Sequence, residues 1–267
     1  MLNRTRTTAD GWELSESGPP DAARTALLLP GALAGAAFYD DLAAEPALRG
    51  LHLVATTLPG YAGTPAPEDL SIETCAAQAG RLAGLVAADV VVGHSVGANV
   101  AIEMVAAREF SGPVVLLAPS FSRRDESRVP RALDRLASVF GHLPFALVLA
   151  MGGGILKGEV PEHRLAPLTA EIRRNDPRVV RRALRQYLRH LDAHGSVAPR
   201  LCDSGVRAWV VFGTDDAVGL SAGERRTLDA CPRVTHVSIP GAGHFTLNTH
   251  PARIAGLVLE ALSARAA

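Results

Sequence analysis

Three short segments carry residue types that together can perform nucleophilic catalysis on a carbonyl group. Residues 93–97 read Gly-His-Ser-Val-Gly, residues 213–216 read Gly-Thr-Asp-Asp, and residues 241–244 read Gly-Ala-Gly-His. A serine hydroxyl is too weak an acid to attack unaided, so a histidine must accept its proton and a carboxylate must orient that histidine. We therefore take Ser95, His244 and Asp216 as candidate nucleophile, base and orienting acid.

The segment around Ser95 has the surroundings that a nucleophile elbow requires. An apolar strand is predicted over residues 89–92 and a helix-forming stretch follows at residues 98–101. Glycines two positions before and two after the serine allow a close approach of strand and helix. The elbow also directs the helix N-terminus, including the Val96 N–H, at a developing oxyanion. A bare Gly-x-Ser-x-Gly match also describes a glycine-rich turn, but a strand before it and a helix after it favour the elbow.

With these segments in place, the sequence resembles the α/β-hydrolase superfamily, in its lid-bearing, esterase-like branch, over essentially the whole chain. The resemblance implies an acid after a late strand and a histidine after the last strand, which Asp216 and His244 satisfy. It also implies a second backbone oxyanion donor in the loop after the first central strand, which is the Ala32 N–H. The family usually has His-Gly in that loop and this chain reads Pro-Gly, but the donor is a main-chain group.

Other acidic residues and histidines compete for these roles. Family spacing places the acid three residues after the glycine, which selects Asp216 over Asp215, and Asp125 is a third candidate. His94 adjoins Ser95, but its position in the elbow points away from the attacking atom, so we interpret it as structural. The other histidines are interpreted as core or surface residues: His52, His142, His163, His190, His194, His236 and His250. Because no His-Glu-x-x-His or similar spacing occurs, we predict neither a metal nor a cofactor.

The elements that must position these residues have the pattern of an α/β fold. Short continuous apolar runs, typical of strands buried on both faces of a parallel sheet, occupy residues 26–29, 52–56, 90–92, 114–117, 209–212 and 234–239. Predicted helices lie between or after them, at residues 71–86, 98–107 and 251–264. Asp10-Gly11, between residues 4–8 and 12–17, predicts a hairpin that adds an antiparallel edge. The predicted fold is a mostly parallel central sheet with helices on both faces.

The α/β rhythm stops between residues 121 and 200. We predict a core of residues 1–120 and 201–267, interrupted by a helical lid at 121–200 with helices near residues 130–140 and after Asp176. The apolar residues 143–151 and the three glycines after them could line a flexible acyl pocket, although simple lid packing is slightly favoured. The arginine stripe after Asp176 is interpreted as a solvated face rather than a phosphate-binding one.

Composition restricts the partners. The chain of 267 residues has 27 basic and 27 acidic side chains, so no overall field draws it to nucleic acid or an anionic membrane, and a small molecule is the expected partner. Residues 26–38 are apolar but are preceded by acidic residues and interrupted by Pro-Gly, so we interpret them as core and not as a signal peptide. No run of 18 apolar residues occurs.

Cysteine usage and the basic residues bear on the compartment and the source. Cys75, Cys202 and Cys231 are widely spaced and odd in number, so we expect them to be reduced and mostly buried, in a cytoplasmic protein. Nearly all basic residues are arginine, with Lys157 the single lysine, and alanine is abundant. This composition is typical of a GC-rich bacterial genome. Oligomeric state is left open.

Three functions are consistent with these observations. The leading one is hydrolysis of a carboxylic ester with a small to medium hydrophobic group through an acyl-enzyme on Ser95. The same residues could act on a thioester, a lactone or a carbon–carbon bond. A non-catalytic small-molecule binding module on the same fold is the third hypothesis. The resemblance extends to haloalkane dehalogenases and epoxide hydrolases, but these have aspartate at the elbow, so serine argues against them.

Overall fold

The computed structural model describes residues 4–8, 11–126 and 128–265. The strands are β1 (Arg4–Thr7), β2 (Glu13–Ser17), β3 (Thr25–Leu29), β4 (His52–Thr57), β5 (Val90–His94), β6 (Val114–Leu117), β7 (Ala208–Gly213) and β8 (Val234–Ile239). They form one sheet in the order β1-β2-β4-β3-β5-β6-β7-β8. The first two pairs in that order are antiparallel and the rest are parallel.

Twelve α-helices occur among the described residues. They are α1 (Asp40–Ala43), α2 (Ile72–Leu85), α3 (Val96–Ala106), α4 (Arg128–Phe140), α5 (Leu143–Ala150), α6 (Gly152–Leu156), α7 (Glu162–Arg173), α8 (Pro177–His194), α9 (Ala198–Ser204), α10 (Ala222–Asp229), α11 (Thr246–Thr249) and α12 (Pro251–Arg265). Two short 3₁₀ helices precede β4, at Ala36–Tyr39 and Pro46–Leu48. The predicted α/β fold class is confirmed.

The middle of the sheet is buried on both faces. Every residue of β3, β5 and β6 is buried, as the continuous apolar runs predict. In register, Leu28 pairs with Val92 and Val92 pairs with Val115. Because these strands are parallel, the loops after them emerge at one edge of the sheet, where ligand sites of open α/β sheets lie.

The two outer edges of the sheet differ from its middle. The predicted N-terminal hairpin has its antiparallel strands in β1 and β2, although Asp10 lies outside the described residues. The expectation that residues 234–239 are buried on both faces is wrong. Only Ile239 of β8 is buried, because β8 pairs with β7 alone and forms the far edge.

Helix boundaries follow their capping residues. The Ser71 hydroxyl accepts a hydrogen bond from the Thr74 N–H at 3.2 Å and begins α2. The Asp176 carboxylate accepts from the Arg178 N–H at 2.7 Å, with Pro177 in the first turn of α8, as the sequence predicts. Helix α8 ends at His194, and the next residue, the C-cap Gly195, has a φ of 64°.

The chain between β6 and β7 contains the six helices α4 to α9 among its described residues. The sequence predicts at least two helices for residues 121–200, near residues 130–140 and after Asp176, and α4 and α8 occupy these positions. The other helices were not located, because α5, α6 and α9 are too short for a full amphipathic repeat and α7 contains Pro167. The three glycines at residues 152–154 lie inside α6. The end of this insertion is tied to the core, since the Val197 N–H donates to the Phe121 carbonyl at 2.8 Å and Arg200 pairs with Glu103 at 2.6 Å.

The expectation that all three cysteines are reduced is wrong. Cys202 and Cys231 form a disulfide, with their Cα atoms 5.6 Å apart. They are 29 residues apart in sequence and meet because α9 lies against α10, a tertiary contact that leaves no spacing motif. Cys75 is free and buried, as expected.

No helix in the described part of the chain is both long and apolar enough to cross a membrane. The longest helix, α8, has 18 residues and carries an arginine stripe.

Candidate active site

Ser95 occupies the sharp turn between β5 and α3. Its backbone has a φ of 50° and a ψ of −119°, a conformation that residues other than glycine rarely adopt. The Ser95 N–H donates to the Leu117 carbonyl at 2.8 Å, so the neighbouring strand β6 helps to hold the turn. Ser95 is partly exposed although the strand before it and the helix after it are buried. The hydroxyl is thus presented at the carboxyl edge of the sheet.

The glycines on either side of the turn are required by close backbone contacts. A Cβ at Gly93 would lie 2.5 Å from the Gly97 carbonyl oxygen, and a Cβ at Gly97 would lie 2.2 Å from the Leu29 carbonyl oxygen. Backbone atoms cannot move aside as a flexible side chain can. The steric argument made from the sequence therefore holds at both positions.

His244 and Asp216 are in direct contact. His244 Nδ1 lies 2.9 Å from Asp216 Oδ2 and 3.1 Å from Oδ1. The Asp216 side chain is 1% exposed and also accepts a hydrogen bond from the Val218 N–H at 2.8 Å. A carboxylate on Nδ1 places the proton of neutral imidazole there and leaves Nε2 free to accept one. No hydrogen bond joins Ser95 Oγ to His244 within the described residues, and such bonds commonly shorten only when substrate binds.

Neither of the competing acids contacts His244. Asp215 is exposed and accepts a hydrogen bond from the Thr214 hydroxyl at 3.0 Å. Asp125 is buried and accepts from the backbone N–H of Ser122 at 2.8 Å and of Ser221 at 3.3 Å. Asp125 therefore fixes the start of the insertion against the loop before α10.

His94 lies under the site and supports its loops. Its Nε2 is 3.0 Å from the His244 carbonyl oxygen, and its ring centroid lies 4.8 Å from those of His244 and Phe38. Burial, followed by the charge of nearby His244, holds the pKa of His94 well below 6.5, although the bond to the carbonyl opposes this. A neutral, buried ring in these contacts agrees with the structural role predicted for His94.

The two predicted oxyanion donors flank the serine. Ala32 and Val96 line the same cavity as Ser95, and neither backbone N–H donates a hydrogen bond to any described residue. Val96 is the first residue of α3, where a backbone N–H has no partner within the helix. Both groups are thus available to an oxygen atom placed beside Ser95 Oγ.

Asn175, at the junction of α7 and α8, joins the insertion to two core loops. Its Nδ2 donates to the Leu33 carbonyl at 3.0 Å, and its Oδ1 accepts from the Ala62 N–H at 2.9 Å. Leu33 and Ala62 both have positive φ, of 69° and 45°. These contacts hold the loop that carries Ala32 in its strained conformation.

A cavity of about 200 Å³ opens beside Ser95, and its wall is mostly apolar. The insertion supplies Leu133 from α4, Phe145, Val148 and Leu149 from α5, and Val180, Leu184 and Tyr187 from α8. Glu126 also lines the cavity. The sequence left open whether residues 143–151 line a pocket or pack the lid. In the structure Val148 and Leu149 line the cavity, whereas Leu143 and Leu147 are exposed.

One group of possible metal ligands lies away from this cavity, between α2 and α8. Ligand atoms of Glu73, His190 and His194 are all within 4.8 Å of one another, and His190 Nδ1 is 2.6 Å from Glu73 Oε1. His190 and His194 have the i, i+4 spacing of a His-Glu-x-x-His motif, without its glutamate, so the expectation that no similar spacing occurs in the sequence is wrong. Metal-binding histidines usually donate their other N–H to an acceptor, and His190 Nε2 is buried without a partner. A hydrogen bond therefore explains the Glu73–His190 contact better than a shared metal.

Glu126 and Asn175 were not identified from the sequence as residues of the site, and Tyr187 was placed only on the apolar stripe of α8. The Tyr187 hydroxyl donates to Glu126 Oε1 at 2.5 Å, although the two residues are 61 positions apart. No motif surrounds either residue. The available signals were a tyrosine on the apolar stripe of α8 and an acid at the entry to the insertion.

The sequence matches a known family, described as the alpha/beta hydrolase family, over residues 26–257. A comparison with curated protein sequences returned no match. The matched range includes the parallel strands from β3 onward, the elbow and the loops that carry Asp216 and His244, whereas β1 and β2 lie outside it.

Solved structures of similar fold come from several kinds of hydrolase. An esterase from Rhodococcus sp. is 21% identical, with a TM-score of 0.73 and coverage of 98% of this chain and 99% of that one. A thioesterase domain from the curacin biosynthetic pathway is 18% identical, with a TM-score of 0.73 and coverage of 96% and 99%. An N-acyl homoserine lactonase is 19% identical, with a TM-score of 0.72 and coverage of 96% and 94%. At these identities the likeness concerns the fold.

Proposed function

The chain belongs to the alpha/beta hydrolase family, and from that premise we propose that it cleaves a carboxylic ester of a small to medium hydrophobic substrate through an acyl-enzyme on Ser95. One observation carries the proposal. The Asp216–His244 contact lies at the same sheet edge as a strained, partly exposed serine that opens into an apolar cavity. A nucleophilic serine, a histidine oriented by a carboxylate and an apolar cavity together support hydrolysis of an ester.

The proposed reaction begins with proton transfer from Ser95 Oγ to His244 Nε2 as Oγ attacks the ester carbonyl carbon. The negative charge passes to the carbonyl oxygen, which accepts hydrogen bonds from the Ala32 and Val96 N–H groups. His244 then donates its proton to the departing alkoxide, and the C–O bond breaks. Water attacks the acyl-enzyme by the same route and releases the acid and free Ser95. Asp216 holds the imidazole and stabilises its cationic form.

The size of the cavity supports a short substrate group. Its volume of about 200 Å³ is below the range of about 300–1,000 Å³ usual for drug-sized ligands. The apolar wall favours burial of an alkyl or aryl group by roughly 25 cal/mol per Å² of surface removed from water. Because α4, α5 and α8 supply much of that wall, we propose that the insertion acts as a lid that selects the substrate.

The test is Ser95→Ala in the full chain, with Ser138→Ala as the matched control. Ser138 is an exposed serine of α4 outside the cavity. Loss of the nucleophile should abolish labelling by a fluorophosphonate and lower ester turnover by roughly 10⁴- to 10⁶-fold, at an unchanged melting temperature. Ser138→Ala should behave as the wild type. Unchanged hydrolysis by Ser95→Ala would exclude the serine mechanism.

A substrate panel then distinguishes the ester from its alternatives. Esters, thioesters, lactones and β-diketones of matched chain length are compared by kcat/KM. The proposal requires that the ester is the best substrate and that all hydrolysis depends on Ser95. A protein that neither labels nor hydrolyses any member of the panel would instead be a binding module on the same fold.

A further inference from the structure

Glu126 places a carboxylate in the wall of an otherwise apolar cavity. Of the described residues that line this cavity with Ser95, Glu126 is the single charged one. The other polar side chains of the wall are the tyrosines Tyr61 and Tyr187. Glu126 is half-buried, so its carboxylate is partly removed from water. A charge in such a position costs free energy unless a partner compensates it.

The carboxylate is held by donors on one oxygen atom only. Glu126 Oε1 accepts hydrogen bonds from the Tyr187 hydroxyl at 2.5 Å and the Ser120 hydroxyl at 2.6 Å. Asn99 fixes Ser120, because its Nδ2 donates to the Ser120 carbonyl at 2.7 Å and its Oδ1 accepts from the Ser120 N–H at 3.3 Å. Asn99 lies in α3, the helix that follows Ser95. One of the two donors that orient Glu126 is therefore fixed by the helix that presents the nucleophile, and the other comes from α8.

The donors keep their protons. Burial, followed by the negative charge of Glu126, raises the pKa of Tyr187 well above 10, so its hydroxyl remains a donor at neutral pH. Oε2 of Glu126 makes no hydrogen bond to the side chains that the structure describes, and none of the basic side chains among them forms an ion pair with it. The carboxylate is thus oriented through Oε1, and Oε2 is the oxygen atom left to receive a further donor.

We propose that Glu126 is a substrate-recognition residue that binds an ammonium group through Oε2, so that the preferred substrate is a hydrophobic ester carrying a protonated amine. The proposal rests on the proposed function for the identity of the cavity as the substrate site. The apolar wall binds the hydrocarbon part, Ser95 receives the ester carbonyl, and Glu126 pairs with the cation. A hydroxyl group could also donate a hydrogen bond to the carboxylate, but it carries no positive charge and would bind more weakly, because it lacks the attraction between opposite charges.

The test measures binding rather than turnover. Hexylammonium ion and 1-hexanol have the same alkyl chain and differ in the group that would meet Glu126. Their dissociation constants for the full chain are measured by calorimetry at pH 7. We expect the ammonium ion to bind at least about 10-fold more tightly, because only the ammonium ion adds the attraction of opposite charges in a partly buried site.

Two variants assign that preference to Glu126. Glu126→Gln keeps the shape and an acceptor oxygen for Tyr187 and Ser120 but removes the charge, so the preference for ammonium should fall to near one. Glu68→Gln, at an exposed glutamate in the loop before α2, should retain the wild-type preference. Melting temperatures show that each variant is folded.

Three results would overturn the inference. They are a wild-type protein that binds hexanol as tightly as hexylammonium, one that binds neither, and a Glu126→Gln variant that retains the preference. Fluorophosphonate labelling of Ser95 in the same samples tests the proposed function separately. A labelled protein without the ammonium preference would leave a hydrolase whose substrate is neutral, and a preference without labelling would leave a cation-binding cavity without the chemistry.

Discussion

The central strands of the sheet and the helical insertion differ in how far their apolar residues are buried. In β3, β5 and β6 all residues are buried, and the loops after the strands are fixed by backbone contacts. Among the described residues, the large apolar side chains that are exposed lie in the insertion, with the exception of Leu85. They belong to α4, α5 and α6 and to Met151, which lies between α5 and α6. The two regions nevertheless meet at one cavity.

This difference separates two requirements of an enzyme site. Positions of reacting atoms must be held within a fraction of an ångström, and a buried sheet with strained turns at its edge does that. Selection of a substrate needs a wall that can differ in shape and charge without disturbing those atoms. The insertion supplies such a wall, with Glu126, Leu149 and Tyr187 among its residues. Changes in the two regions should therefore have different consequences.

The largest expected effect concerns the two adjacent acids of the core loop. Asp216→Asn would offer an N–H where His244 Nδ1–H needs an acceptor, so turnover should fall by up to about 10⁴-fold at neutral pH. Asp215→Asn, the matched control, changes an exposed acid that contacts Thr214 and should cost little. Turnover and thermal unfolding are measured for both. A large loss confined to Asp215→Asn would reverse the assignment, and small losses in both would direct attention to Asp125.

A smaller effect is expected from two leucines of the same helix, α5. Leu149 is 5% exposed and lines the cavity, whereas Leu147 is 62% exposed. Leu149→Ala should lower kcat/KM for the preferred acyl chain by about 10-fold, shift the preference toward longer chains, and destabilise the fold by about 2–5 kcal/mol. Leu147→Ala should leave the chain-length profile and the melting temperature unchanged. Equal profiles for the two variants would mean that α5 does not select the substrate.

The smallest effect is a pH dependence of stability that arises in the core. The pKa of His94 is depressed in the folded state, so the unfolded chain binds more protons below its own pKa of about 6.5. Stability should therefore be full above pH 6.5 and decrease as the pH falls, by at most about 1.4 kcal/mol per pH unit from this residue. His94→Gln should flatten the decrease measured by chemical denaturation from pH 7 to 5. The control variant His142→Gln, in the insertion, should show the same decrease as the wild type. If the free energy of unfolding depends on pH equally in both variants, His94 is not the cause.

The core was predictable because its constraints are local. Continuous apolar runs mark the strands, and the glycines around Ser95 mark a turn that admits no Cβ. The contact between His244 and Asp216 also follows from the sequence, since each lies directly after a strand and neighbouring parallel strands end at one edge. The edge position of β8 was missed because the apolar residues of a strand do not reveal whether a neighbour covers it.

The polar residues of the cavity were not predictable because their partners come from distant parts of the chain. Glu126 contacts Tyr187, which is 61 positions away, and Asn175 contacts Leu33, which is 142 positions away. The pairing of Cys202 with Cys231 has the same origin. Such contacts depend on the relative placement of helices, which the apolar periodicity of each helix does not determine.

The contacts of Asn175 limit how freely the insertion could be exchanged with that of another hydrolase. Grafting the insertion of another hydrolase onto this sheet would replace the amide that binds the Leu33 carbonyl and the Ala62 N–H. Both residues would keep their positive φ values without that support. A chimaera would therefore inherit the new specificity only if an equivalent amide came with the graft or the two loops were exchanged together. The unit of recombination is thus the insertion plus the loops that Asn175 binds.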